Sequence, residues 1–324
     1  MKLLETLTFS ERRVLSIPTS LHCCNPSLVR QQDEWKVLIR ALDPEPWAGN
    51  HGGLSTENWL LELDDKFNIK NSVKVDDQNI RSQHAELVNG LEDGRIFFWN
   101  DELWGLFSGF RRNQKTFFNT MVLVRYHQGE WVDPVLLSSP TGATREKNWM
   151  PCVMGQSLFL VYSVDPLRVY QYIDGKLVPI DRIWGQYPQN STASLAGSMI
   201  SGSSTLVPWG DGFLAVVHHR RKATGIRKLV MKYWNPDQDY QLRKVLFDHY
   251  LIHFDCRFNV VRRSLPFSFE FDGVEFCSGL HIGGDRVFMS YGVKDRIPVV
   301  LETNFDELQA VVGWDERGNR VGRG

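Results

Sequence analysis

The chain has 324 residues, 42% of them hydrophobic and 12% aromatic, with a formal net charge of −1. That is ample for a sizeable core, and β-rich single domains reach this length, so residues 1–324 read as one domain. The near-zero charge excludes a global field for nucleic acid or an anionic membrane, and no apolar run approaches a membrane span.

The opening residues are interrupted by Glu5 and Glu11 and do not read as a signal peptide. Five cysteines, Cys23, Cys24, Cys152, Cys256 and Cys277, form no CxxC pair. Neighbouring Cys23 and Cys24 offer poor geometry for a bridge. The set reads as free thiols in a reducing compartment, the cytoplasm by default. Acidic residues are scattered singly and no His/Cys cluster has ligand spacing, so no metal is expected.

Strand-like runs then follow one another along the chain: 35–40 (WKVLIR), 58–63 (NWLLEL), 95–99 (RIFFW), 103–107 (LWGLF) and 120–125 (TMVLVR). Further on come 157–163 (SLFLVYS), 168–173 (RVYQYI), 212–217 (GFLAVV), 229–233 (LVMKY), 286–290 (RVFMS) and 298–302 (PVVLE). Turn chemistry separates them, as at Asn100-Asp101, Asp174-Gly175, Gly210-Asp211-Gly212 and Gly283-Gly284-Asp285. Only 303–309 (TNFDELQ) offers a turn or two of helix. Eleven tryptophans serve either as large core fillers or as platforms for sugar rings.

The runs also have a rhythm. Five times, near 25–27, 92–95, 145–151, 202–205 and 276–280, a polar or small-residue segment leads into a hydrophobic strand, a tight turn and a second strand. Five such units, with little sequence identity between them, predict an all-β, five-bladed β-propeller with less than about a tenth of its residues in helix. A sandwich could use the same strands but would not explain a leading polar cluster in every unit. In a propeller these leading segments converge on one central axial pocket.

Asn25-Pro26-Ser27, Arg40, Glu92-Asp93-Gly94-Arg95, Glu146-Lys147-Asn148-Trp149-Met150-Pro151, His218-His219 and Tyr291-Gly292-Val293-Lys294-Asp295 appear in that order. The series resembles the five-bladed propellers of glycoside hydrolase family 130, the β-mannoside phosphorylases and mannosidases with their related mannosyltransferases. The resemblance implies that Asp93 is the general acid, reaching the glycosidic oxygen by way of a sugar hydroxyl. It implies that Asn25, Arg40 and Asp295 hold the sugar whose bond breaks, with Ser27, Arg95, Asn148 and Tyr291 as further sugar contacts. Lys147 and Asn148, with His218 or His219, also match a site for inorganic phosphate, which is a co-substrate and not a cofactor, and Arg145 is a further candidate there. Two histidines in tandem on a strand face opposite ways, so at most one enters the pocket.

The chain also departs from the pattern. The catalytic motif has Gly94 where the family has proline. The phosphorylases carry a cation shortly after the Arg40 position, whereas residues 41–46 (ALDPEP) have none. Three functions follow from the sequence: inverting cleavage of an oligosaccharide by phosphate or water, transfer from a sugar phosphate or other activated donor, or glycan binding without catalysis. Glu146 and Glu275 are candidates for a hydrolytic base by position alone.

Overall fold

The computed structural model describes residues 5–6, 11–43, 56–113, 116–180, 200–222, 245–270 and 273–314. The expected strand at 229–233 and the end of the acidic stretch, 44–46, lie outside them. Two short N-terminal strands, β1 (Glu5–Thr6) and β2 (Glu11–Val14), come first. Blade one is β3 (His22–Gln31), β4 (Glu34–Leu42), β5 (Thr56–Leu63) and β6 (Ile69–Val75). After helix α1 (Gln78–Gln83), blade two is β7 (Leu87–Trp99), β8 (Glu102–Asn113), β9 (Thr116–His127) and β10 (Glu130–Leu137). Blade three is β11 (Met150–Met154), β12 (Ser157–Val164), β13 (Leu167–Ile173) and β14 (Lys176–Pro179).

Blade four is more broken. Its innermost position is shared by β15 (Ile200–Gly202) and β16 (Val207–Trp209), both paired with β17 (Gly212–Lys222). Outside lie β18 (Val245–Asp255), β19 (Val260–Arg263) and β20 (Phe267–Ser268), and β20 pairs in parallel with β1. Blade five is β21 (Glu275–Gly283), β22 (Arg286–Val293) and β23 (Ile297–Asn304), with β2 as its outer strand. The chain's first strands therefore join its last two blades. Arg12 Nε on β2 also donates to Glu270 Oε1 at 2.6 Å, adding a charged bond to this closure.

Strand alternation builds the core. On β4, Val37 and Ile39 pack with Phe288 and Val300 of blade five, while Leu38 between them packs with Ile96 and Phe107 of blade two. On β8, Leu106 joins Trp149 and Leu158 of blade three. Further apolar layers fill the blade three–four and four–five gaps. Each sheet is thus buried on both faces. Trp35, Trp131 and Trp149 are fully buried fillers of these layers.

The innermost strands crowd the axis, and some contacts leave no room for a side chain. A Cβ on Gly279 of β21 would stand 2.5 Å from the backbone nitrogen of Leu28 on β3. Helix α2 (Phe305–Val312) follows β23, where the side chain of Asn304 accepts from Glu307 N at 2.7 Å. The expected short helix at 303–309 is this one.

The blade five–one seam has a single large anchor. Trp35 is 1% exposed and meets Phe288 at 4.5 Å, His281 at 5.1 Å and Phe67 at 5.5 Å between ring centroids. Trp35→Ala is expected to lower stability by about 3–5 kcal/mol. Urea denaturation would measure it; a loss below about 1 kcal/mol would mean the seam repacks.

Candidate active site

The sequence places Asn25 and Asp93 ahead of their strands, but the structure places them inside, at β-bulges. Pairing of β3 with β4 shifts between Cys24 and Ser27, and pairing of β7 with β8 shifts between Glu92 and Arg95. Asn25 has φ +48 and Asp93 has φ +49, the left-handed region that Asn and Asp tolerate best. Asn148, just before β11, has φ +63. Asp93-Gly94 is therefore no hairpin turn. It is a kink that aims a carboxylate inward.

Asp93 Oδ1 accepts from Asn25 Nδ2 at 2.7 Å and from Arg40 Nη1 at 2.8 Å. Arg40 also pairs with Glu92 through Nη2, 3.0 Å from Oε1, and both Nε and Nη2 donate to Thr56 Oγ1 at 3.2 Å. Glu92 Oε1 accepts a further bond from Asn89 Nδ2 at 3.2 Å. Sequence reasoning gave Glu92 no role, although it stands in the same motif.

Next to this group lies Arg95, completely buried. Its Nε donates to Ser203 O at 2.9 Å, Nη1 to Asp93 O at 2.7 Å and Nη2 to Asn148 Oδ1 at 3.2 Å. One guanidinium thus joins blades two, three and four. Its face lies 5.1 Å from the Phe276 ring, and His218 meets the same ring at 5.1 Å. His218 Nδ1 is 2.7 Å from Ser203 Oγ.

Electrostatics divide the site. Burial works against a charge on Asp93, but Arg40, Arg95 and the bond from Asn25 outweigh it and hold the carboxyl below the usual range. Burial raises Glu92 and, with the neighbouring Asp93 charge, outweighs the lowering by Arg40, by the bond from Asn89 and by Lys147. Burial also opposes the charge on Arg40, but Asp93 and Glu92 reverse this and raise it. Arg95, with burial dominant, comes down to about 10 and is still a cation at neutral pH. Burial pushes His218 well below its usual value, with His249, Arg95 and Lys147 adding to the effect, so it is neutral there.

The other expected residues divide in the same way. Lys147 is exposed but near enough to influence both Glu92 and His218. Asp295 sits in the β22–β23 turn with φ +53, three residues after Gly292, where a Cβ would lie 2.8 Å from the backbone nitrogen of Asn25. The structure takes four residues elsewhere. Ser27 is fully buried and accepts from Ile96 N at 3.0 Å, bonding β3 to β7. Tyr291 stacks on Phe269 at 4.3 Å and donates to Glu270 Oε1 at 2.5 Å, so strand alternation sends it into the blade four–five layer. His219 faces away from His218, towards Asp248, whose Oδ2 lies 3.8 Å from its Nδ1. Arg145 is exposed in a backbone bridge to Asn119 of blade two.

The two base candidates are occupied as well. Glu146 accepts from Trp149 Nε1 at 3.0 Å and Tyr162 Oη at 3.2 Å. Glu275 accepts from the backbone nitrogens of Phe269 and Glu270 at 2.7 and 2.8 Å. Among the described residues, no group of three His, Cys, Asp or Glu side chains is placed to hold a metal ion, and no helix is long and apolar enough to cross a membrane.

Comparison with protein-family models and with curated proteins finds no match. Solved structures do match. A member of the GH130 family of mannoside phosphorylases, which contains glycoside hydrolases targeting β-1,2-mannosidic linkages in Candida mannan, is 14% identical over 89% of this chain and 85% of its own, with a TM-score of 0.57. The fold is that of the family 130 propellers. A β-1,2-mannobiose phosphorylase from Listeria innocua, in complex with β-1,2-mannobiose, is 11% identical over 92% of this chain and 95% of its own, at 0.56. A mannose phosphorylase from Leishmania mexicana, in complex with phosphate ion, is 11% identical over 95% and 92%, at 0.59.

Where family 130 has proline in the acidic motif, this chain has Gly94 for a steric reason. A Cβ there would lie 2.4 Å from Phe107 Cε1 and 2.7 Å from Leu38 Cδ2. Gly94→Ala is expected to destabilise the protein by about 1–3 kcal/mol through overpacking. Adding Phe107→Leu should recover part of that loss in the same denaturation experiment, whereas strictly additive losses would place the strain elsewhere.

Proposed function

We propose that this protein is a carbohydrate-active enzyme that cleaves a β-mannoside-type glycosidic bond with inversion. Asp93 faces the scissile bond as the group that delivers the proton. The observation that carries this reading is the convergence of Asn25, Arg40, Glu92, Asp93, Arg95 and Asn148, from three blades, into one bonded group at the axis. A scaffold needs no such concentration of buried charge, because unpaired burial of each group is costly. Arginine and asparagine side chains supply directional donors for vicinal hydroxyls, and Asp93 retains 27% exposure to meet a ligand.

Within this reading, phosphate is the favoured nucleophile. An inverting hydrolase needs a second carboxylate, about 6.5–9.5 Å from the first, to activate water. Glu146 and Glu275 already accept bonds from their own surroundings. Phosphate needs no base. It needs donors, and Lys147, Asn148 and the neutral His218 are the candidates, gathered around Arg95, which bonds Asn148 and, with Lys147, acts on His218. The phosphate-bound mannose phosphorylase of the same fold supports this choice. Transfer from a sugar phosphate is the same chemistry run in reverse.

The direct test incubates the protein with a panel of manno-oligosaccharides, with and without inorganic phosphate. Phosphate-dependent release of a sugar 1-phosphate is expected; phosphate-independent release of free sugar would indicate hydrolysis. Asp93→Asn is expected to keep the fold and lower turnover by roughly 10²–10⁴-fold. A substrate with a low-pKa leaving group should lose much less. Equal losses on both substrates would reassign Asp93 to binding.

A further inference from the structure

We propose that Glu92 and Asp93 act as one coupled acid pair, Glu92 storing the proton that Asp93 delivers to the departing sugar oxygen. The inference rests on the function proposed above and supplies what that function lacks. A carboxylate bonded by Arg40 and Asn25, with the charge of Arg95 close by, is a good anion and a poor acid.

The geometry is unusual for neighbours in a strand. Residues i and i+1 ordinarily point to opposite faces of a sheet. Here the bulge and the left-handed backbone at Asp93 turn both carboxyl groups onto one guanidinium, Arg40 Nη1 to Asp93 and Nη2 to Glu92. Two carboxyls on a shared cation titrate as a pair, and environments that push them apart separate the acid from the anion. Glu92 is the less exposed, 14% against 27% for Asp93. The groups that face the pair are Arg40 from β4, Asn25 from β3, Asn89 and Arg95 from β7, and Lys147 from the segment before β11. Their charges favour the anion at Asp93, with both Arg40 and Arg95 acting on it, while burial favours the neutral acid at Glu92.

In the step this implies, a phosphate oxygen forms the new bond to the anomeric carbon as the old carbon–oxygen bond breaks, its electron pair staying on the leaving oxygen. That oxygen takes a proton from Asp93, directly or through a sugar hydroxyl. Asp93, an anion at rest, receives that proton from Glu92 as it passes it on and ends as the anion again, and Glu92 is reprotonated from solvent. Nothing is oxidised or reduced.

The test is a pH titration of side-chain carboxyl ¹³C resonances in the substrate-free protein, comparing wild type, Glu92→Gln and Asp93→Asn. Glu92 is expected to titrate above the ordinary carboxyl range, and to move down by about one unit or more when Asp93 loses its charge. A Glu92 resonance that titrates in the ordinary range, or does not respond to Asp93→Asn, overturns the pair. In parallel, kcat/KM is followed against pH on substrates with poor and activated leaving groups. Glu92→Gln should slow the poor leaving group at least ten-fold more than the activated one, and shift the alkaline limb to lower pH. Unchanged kinetics in Glu92→Gln also overturns the proposal. Coupled titration in a protein that turns over no glycoside or sugar phosphate would support the pair and overturn the proposed function instead. Should Glu92→Gln fold poorly, the response of Glu92 to Asp93→Asn still decides the coupling.

Discussion

The centre of this propeller depends on the burial of Arg95. Its guanidinium reaches a backbone carbonyl in its own blade, a side-chain amide before blade three and a backbone carbonyl in blade four, with no carboxylate bonded to it directly. Three neutral acceptors in fixed directions suit the planar fork of arginine and not the point charge of lysine. Because the bond to blade two falls on the carbonyl of Asp93, the cation that gathers the blades also fixes the kink that presents the Asp93 carboxylate. Fold and site share one interaction.

Arg40 collects both carboxyl groups, while Arg95 bonds Asn148 and shares the Phe276 ring with neutral His218. The bulges on β3 and β7 make this possible without loops, since a strand is a more rigid support than a turn. Pro26 O, which accepts from Ser278 and Ser290 of blade five, and Ser27 Oγ, which accepts from Ile96 of blade two, hold the first bulge from both sides.

Much of this was legible in the sequence. Period-two apolar runs separated by turn residues foretold the blades, because each strand must satisfy two neighbouring layers. The order of the polar segments foretold that Asn25, Arg40 and Asp93 meet. What was not legible has physical causes. Asp93-Gly94 reads locally as a hairpin turn, and only tertiary packing against Phe107 shows a bulge. Glu92 was passed over because adjacent strand residues normally diverge. Ser27 and Tyr291 occupy motif positions, but the alternation of β3 and β22 gives them to inter-blade contacts. In the polar segment before β11, Asn148 bonds Arg95 at the axis, whereas Glu146 and Trp149 bond to each other and anchor the blade two–three layer.

The most direct measurement is a crystal structure of Asp93→Asn soaked with a β-linked mannobiose. The expected result is one sugar ring bonded to Arg40 and Asn25, its glycosidic oxygen facing residue 93 and the opposite face of its anomeric carbon open towards Lys147, Asn148 and His218. A disaccharide bound elsewhere, with the axial group untouched at saturating concentration, would contradict the assignment of this site.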